Sequence, residues 1–364
     1  MSEPARQISR SGRMAFLDYL RIFAFASVVM GHKFYAHALA LVNDATIHAT
    51  PRLIVQMLLP FFEFGGAGVV VFFIVSGYII TSVLENEKTL DFIVKRIFRI
   101  YPLYLVAALL NMLLSGVTLG LGELVGRLLL IGDFFNTSYA LTGVDWTLRV
   151  EIVFYVLLGS LKIVGILNER RMWLPWILIA VTLLLGLFPP IPSSADLFKG
   201  SFSIYTPFLY LGVFFCLRER KQISLGFLLV FTGLVLLHYY RLIAAYEPVV
   251  LETHFATLGL LIFTVAWNVR RHLRATPVIL FLSDLTFSVY LFHGWIWEPI
   301  RRLLRAGSVA ILHPDIQALI VVLLLCTLMS RCIEKPGIRL GNALLARLHA
   351  HRNIVKPDKG SGSF

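Results

Sequence analysis

The sequence predicts an all-α protein, a polytopic membrane bundle of about ten transmembrane helices. Two observations carry that expectation. Of the 364 residues, 58% are hydrophobic and only 15% charged, with a mean hydropathy of +0.79. Soluble domains hold about 45–50% apolar and about 25% charged residues. Apolar runs of membrane-spanning length also recur from Ala15 to about Cys332. A soluble chain of this size would need polar residues to cover one or two domain surfaces, and too few are present. A soluble enzyme, a disordered chain and a secreted disulfide scaffold are therefore excluded.

The candidate spans lie near 15–35, 66–84, 100–116, 146–166, 173–189, 202–217, 223–240, 253–269, 281–299 and 316–333. A basic segment, 1–14, precedes them with Arg6, Arg10 and Arg13. The first run is long and lacks a small-residue cleavage signal, so it is expected to stay as a span. The 122–131 stretch reads as a re-entrant or interfacial helix. Pro175, Pro207 and Pro277 are expected near helix starts, where a missing N–H costs little. The membrane domain is expected over 15–336 and a cytoplasmic tail over 337–364, its last dozen residues disordered. Cys216, Cys326 and Cys332 form no C-x-x-C pair and read as buried residues, not a disulfide or a metal site.

The net charge of +12 would point to nucleic acid in a soluble protein. In a membrane protein it reflects basic loops beside anionic lipid, so no nucleic-acid partner is expected. Alternate loops and span ends carry 23 basic residues on one side against 7 on the other, with Arg21, Lys33 and Arg149 inside spans. That asymmetry predicts a multi-pass inner-membrane protein with both termini cytoplasmic. The trio Arg301, Arg302 and Arg305 is the discordant loop.

Ionisable residues at membrane depth are costly and mark polar interiors or water-filled cavities. In the first span Arg21 and His32 are eleven residues apart, about 20° from eclipsed on an ideal helix and separated by roughly 16 Å. One face thus carries a cation low and an imidazole high. A snorkelling Arg and a structural His are the alternative. Asp18 precedes Arg21 by three residues and can pair with it. Arg96 and Arg99 share a face at the cytoplasmic mouth of the third span, where they form either a phosphate clamp or an ordinary basic flank. In the fourth span Trp146 suits the aromatic belt, and Glu151 lies about 7–8 Å below it, near the depth of His32. Glu151 either orients that imidazole or pairs with Arg149. Ser76-Gly77 allows close helix packing. His293 is mid-membrane, as a catalytic or a packing histidine, and Ser283 and Asp284 read as helix caps.

These residues fall in ordered motifs: LDYLRIFAFASVVMGH, FFIVSGYII, RIFRIYPLY, WTLRVEIVFY, FSVYLFH and IEKP at Ile333–Pro336. The set resembles the acyltransferase 3 family, integral-membrane enzymes that O-acylate bacterial carbohydrates and other extracytoplasmic acceptors. The resemblance spans Leu17 to Pro336 and implies about ten helices. It implies His32 as catalytic base with Arg21 as its partner, and Arg96 and Arg99 as contacts to acyl-CoA. It marks Glu151 and Trp146 as the functional part of the fourth span. Asp18, Ser76, Tyr101 and His293 are candidate supporting residues. Arg149 and Ile152 depart from the small or polar residues usual there, which alters the surroundings expected for Glu151. With no hydrolase-like domain after the tenth span, the stand-alone form of the family is expected.

The resemblance implies transfer of an acyl group, commonly acetyl, from cytoplasmic acyl-CoA to a hydroxyl of a carbohydrate or glycolipid, directly or through an acyl-histidine. No metal is expected. The competing reading is a transporter or flippase of a lipid-linked sugar using the same polar path, against which no inverted repeat is visible.

Overall fold

The computed structural model describes residues 14–355 apart from 118, 135–138, 142, 168–171, 194–197, 247–251 and 308–311. The expectations for Arg6, Arg10 and Arg13 and for the final residues 356–364 lie outside the described residues. All regular structure among the described residues is helical. The helices are α1 (Ala15–Val29), α2 (Tyr35–Asn43), α3 (Ala49–Phe62), α4 (Gly66–Asn86), α5 (Thr89–Ser115), α6 (Leu121–Leu128), α7 (Trp146–Ile163) and α8 (Trp173–Leu187). They continue with α9 (Ser201–Glu219), α10 (Leu225–Tyr246), α11 (His254–Asn268), α12 (Pro277–Phe292), α13 (Trp297–Ala306), α14 (Pro314–Met329) and α15 (Lys335–Val355).

Each of the ten expected regions contains helix, but fewer than ten pass a test of length and composition for crossing a membrane. Among the described residues, six segments are long and apolar enough to cross a membrane, or seven if α12 and α13 form one broken span. α8 and α11 have 15 residues each, about 22 Å against a hydrocarbon core of about 30 Å. α7 has 18 residues but contains Arg149, Glu151 and Lys162.

Several boundaries correct the sequence reading. The ninth region is not one straight span: α12 ends at Phe292 and α13 leaves it at 85°. α12 starts at Pro277, so Ser283 and Asp284 lie inside the helix and are not caps. Pro207 likewise lies within α9, as Pro60 does within α3. α5 begins at Thr89, which places Arg96 and Arg99 seven and ten residues into a helix instead of on its flank. α15 carries helical structure through most of what reads as a tail. Cys332 is exposed, whereas Cys216 and Cys326 are buried.

The chain folds into two compact units, one comprising Met1–Val75 with Val250–Thr286 and the other Ser76–Val249 with Phe287–Phe364. In the first, Phe16 meets Phe263 edge-on at 6.4 Å. The Ser283 hydroxyl donates to the Asp18 carboxylate at 2.6 Å, which satisfies an acid that is 2% exposed. In the second, α9 is buried from Ser201 to Leu217. A helix hydrophobic all round can be stable only when covered on every side. Phe214 stacks on Phe231 of α10 at 3.8 Å, and α15 lies along α5 with Gly337 and Gly341 against Pro102 and Phe98. Outward faces carry residues such as Leu113, Val230 and Leu324, as suits surfaces solvated by lipid tails.

Gly77 on α4 lies directly on the backbone of Leu209, and a Cβ would overlap that carbonyl oxygen. Since α4 and α9 cannot separate without opening the core, Gly77→Ala is expected to cost about 1–3 kcal/mol of stability through overpacking. Thermal unfolding of the detergent-purified protein measures this, and an unchanged midpoint would contradict the close approach.

Candidate active site

His32 lies in a single π-helical turn, Met30–Phe34, between α1 and α2. Such turns are rare and recur at functional sites. Because its i→i+5 bond closes a wider ring, each residue advances by less than in an α-helix. The ideal-helix register between Arg21 and His32 is therefore offset at the His32 end. Two neighbouring features explain the turn. Gly31 sits so close to the Phe62 carbonyl and the Gly65 amide that no Cβ would fit there. α3, weakened by Pro60, ends in a short 3₁₀ turn in which Phe64 (φ 47°) and Gly65 (φ 71°) are both left-handed. A non-glycine residue in that conformation costs about 1–3 kcal/mol and persists only when its surroundings hold it.

The Phe64 backbone is hydrogen-bonded to the His32 imidazole. With the carbonyl accepting, one ring nitrogen keeps its proton and the other presents a lone pair. His32 is exposed as a residue. Around the turn, the Tyr35 hydroxyl donates to Glu63 Oε1 at 3.2 Å, and His254 Nε2 lies 3.1 Å from Glu63 Oε2. The Tyr35 and Phe64 rings stack at 6.5 Å. Arg21 is half-buried one turn beyond Asp18. None of Phe64, Glu63, Tyr35 and His254 was singled out from the sequence. A lone Glu in the apolar run PFFEFGG was the available signal.

The second unit holds a separate buried cluster. Glu151 on α7 accepts hydrogen bonds from the Ser76 and Tyr155 hydroxyls and lies in the field of Arg96 and Arg99. Arg96 also rests over the Phe92 ring at 5.4 Å, and its Nε has no hydrogen-bond partner among the described residues. The structure thus brings together four residues expected to matter, Ser76, Arg96, Arg99 and Glu151. Arg149, the alternative partner for Glu151, is engaged elsewhere: it pairs with Asp133 at 2.7 Å and lies over the Tyr139 ring at 4.1 Å.

That ion pair belongs to a polar layer at the start of α7. Ala140 N–H donates to Asp145 at 2.9 Å. The Tyr104 hydroxyl donates to the Arg127 carbonyl at 2.7 Å. Thr147 and Tyr290 share a hydroxyl–hydroxyl bond at 2.7 Å, and Tyr290 donates to the Val144 carbonyl at 2.7 Å. His293 is 1% exposed with Nδ1 2.8 Å from the Tyr290 carbonyl, which makes it a packed histidine of this layer. Trp146 stacks between Phe198 (5.5 Å) and Tyr205 (5.1 Å). Tyr101 donates to the Leu129 carbonyl at 3.0 Å.

Burial raises the Asp145 carboxyl, in the loop ahead of α7, from 3.8 to about 6 against the pull of Arg149 and of backbone N–H groups. A carboxyl whose folded pKa is raised stabilises the fold below its unfolded pKa. It loses that contribution as pH rises through about 6. Asp145→Asn is expected to be comparable to the wild type near pH 4 and to gain about 2–3 kcal/mol over it by pH 7.5. Thermal unfolding of both proteins across that range measures the difference, and parallel curves would rule out the buried carboxyl as its source.

An all-helical membrane protein with an accessible, backbone-anchored histidine and a buried arginine–carboxylate cluster is a candidate for group-transfer chemistry within the membrane. The chain matches the acyltransferase domain family (acyltransferase 3) over residues 14–331 and belongs to it. It is 29% identical over 179 residues to nodulation protein 10 of Rhizobium leguminosarum bv. viciae, covering 42% of this chain and 45% of that protein. The similarity therefore spans less than half the length of that relative. No solved structure matches the chain.

Proposed function

We propose that the chain is a ten-span inner-membrane enzyme with both termini in the cytoplasm. It moves an acyl group, acetyl by preference, from acyl-CoA to a hydroxyl of a carbohydrate or glycolipid on the far side. The observation that supports this best is His32, exposed and bonded through one side of its ring to a carbonyl. The ring nitrogen not bonded to that carbonyl takes the proton from the acceptor hydroxyl. The acceptor oxygen then bonds to the thioester carbonyl carbon, the C–S bond breaks, and the departing CoA sulfur takes the proton back. Acyl-CoA and an alcohol become an ester and free CoA.

Arg96 and Arg99 hold the CoA phosphates. Two guanidinium groups facing one carboxylate leave the Glu151 cluster with net positive charge, which suits a polyanionic donor. Ser76 and Tyr155 fix the carboxylate. The test uses purified protein in vesicles with acetyl-CoA and lipid-linked glycans extracted from the cell envelope. Free thiol release and an added acetyl mass on the glycan are the expected results. Glycan translocation without CoA release would support the flippase reading instead.

A further inference from the structure

We propose that Glu63 is a positioning residue for His32, acting through the backbone of Phe64. This rests on the reading of His32 as the base. The His32 ring is hydrogen-bonded to the backbone of Phe64, a residue held left-handed at φ 47°. Such a conformation relaxes unless its neighbours resist. The close fit against Gly31 supplies part of that resistance, and the adjacent residue adds to it. The Glu63 carboxylate uses Oε1 to accept from Tyr35, on the helical segment that carries His32, at 3.2 Å. Its Oε2 lies 3.1 Å from His254 Nε2 on α11, within ion-pair range but without hydrogen-bond geometry. Tyr35 in turn stacks its ring on Phe64 itself at 6.5 Å.

Glu63 thus ties the strained turn to two other elements of the same unit. The Glu63 and His254 side chains are 26% and 35% exposed, so the tie borders the accessible histidine without being sealed in the core. Without this tie, Phe64 relaxes toward a right-handed conformation in a larger fraction of molecules, its carbonyl swings away in those, and the proton on His32 is less confined to one nitrogen. The imidazole would remain in place, but a smaller fraction of molecules would present the basic nitrogen to the acceptor.

The test uses the full chain labelled with ¹⁵N-histidine in detergent, with the His32 signals assigned by their loss in His32→Ala. In Glu63→Ala, the His32 nitrogens are expected to shift from one tautomer toward a mixture. The turnover number for acyl transfer should fall tenfold or more while KM for acetyl-CoA stays within twofold. Glu63→Gln keeps an oxygen for Tyr35 and a polar amide beside His254, so it should retain the wild-type tautomer and at least half the turnover. A Glu63→Ala protein with unshifted His32 nitrogens, or with shifted nitrogens and undiminished turnover, would overturn the proposal. A fully active His32→Ala protein would instead remove the base reading, and the nitrogen spectra would still decide whether Glu63 sets the ring.

Discussion

Replacing His32 by alanine is expected to abolish acyl transfer, a loss of about 10²–10⁴-fold if general-base catalysis is what the ring supplies. Folding should survive. His32 is exposed and lies in a π turn whose shape is set by the close fit of Gly31 on the Phe62–Gly65 turn, not by the imidazole. Truncation removes the hydrogen bond to the Phe64 backbone, worth about 0.5–1.5 kcal/mol. CoA affinity should be unchanged, because the arginines assigned to the phosphates belong to a separate cluster. Loss of turnover with intact donor binding and an intact melting transition is therefore the expected triad of results. Near-wild-type turnover in a well-folded His32→Ala protein would refute the mechanism. His293 would be a poor substitute: it is 1% exposed and already engaged with the Tyr290 carbonyl.

The helices were legible because lipid leaves long apolar runs as a direct record, and each of the ten runs holds helical structure, the ninth broken after Phe292. What the runs could not mark was where a helix continues through charged residues. The first eleven residues of α5 contain Asp91, Lys95, Arg96 and Arg99, and on hydropathy they read as a loop and a flank. α3 was missed for a related reason. Its Pro51, Arg52, Gln56 and Pro60 break the run, although Pro51 at the helix start costs little. The bend after Phe292 has no compositional mark beyond Gly294.

At the site, residue types were legible and partnerships were not. His32 and Glu151 stood out as ionisable groups in apolar stretches. The ring of His32, however, is held by a backbone carbonyl, and a carbonyl has no sequence signature. The π turn is equally silent, since it arises from the fit of Gly31 against a segment more than thirty residues away. Depth estimates along ideal helices placed Arg96 and Arg99 at a mouth and Glu151 well inside. The early start of α5 brings the three into one cluster.

That cluster sets the second large effect. Arg99→Ala is expected to weaken acyl-CoA binding by about 1.5–3 kcal/mol, roughly ten- to more than a hundredfold, through loss of a charge-assisted bond to phosphate. Arg96→Ala needs more care, because Arg96 also lies in the field of the buried Glu151 carboxylate. Breaking a direct buried ion pair costs about 3–5 kcal/mol, and removing a more distant compensating charge costs less by the same cause. Weaker CoA binding by that variant alone could thus reflect a loosened fold. Adding Glu151→Gln separates the two effects: it deletes the stranded charge but keeps the side-chain shape and the oxygen that accepts from Ser76 and Tyr155. The Arg96→Ala/Glu151→Gln protein is expected to regain most of the lost thermal stability while CoA affinity, measured by titration calorimetry, stays low. Glu151→Gln alone should reduce transfer less completely than His32→Ala and leave CoA binding as tight as in the wild type or tighter, since a competing anion is gone. If CoA affinity instead recovers in step with stability, the arginines serve only to neutralise Glu151, and the donor phosphates must bind elsewhere.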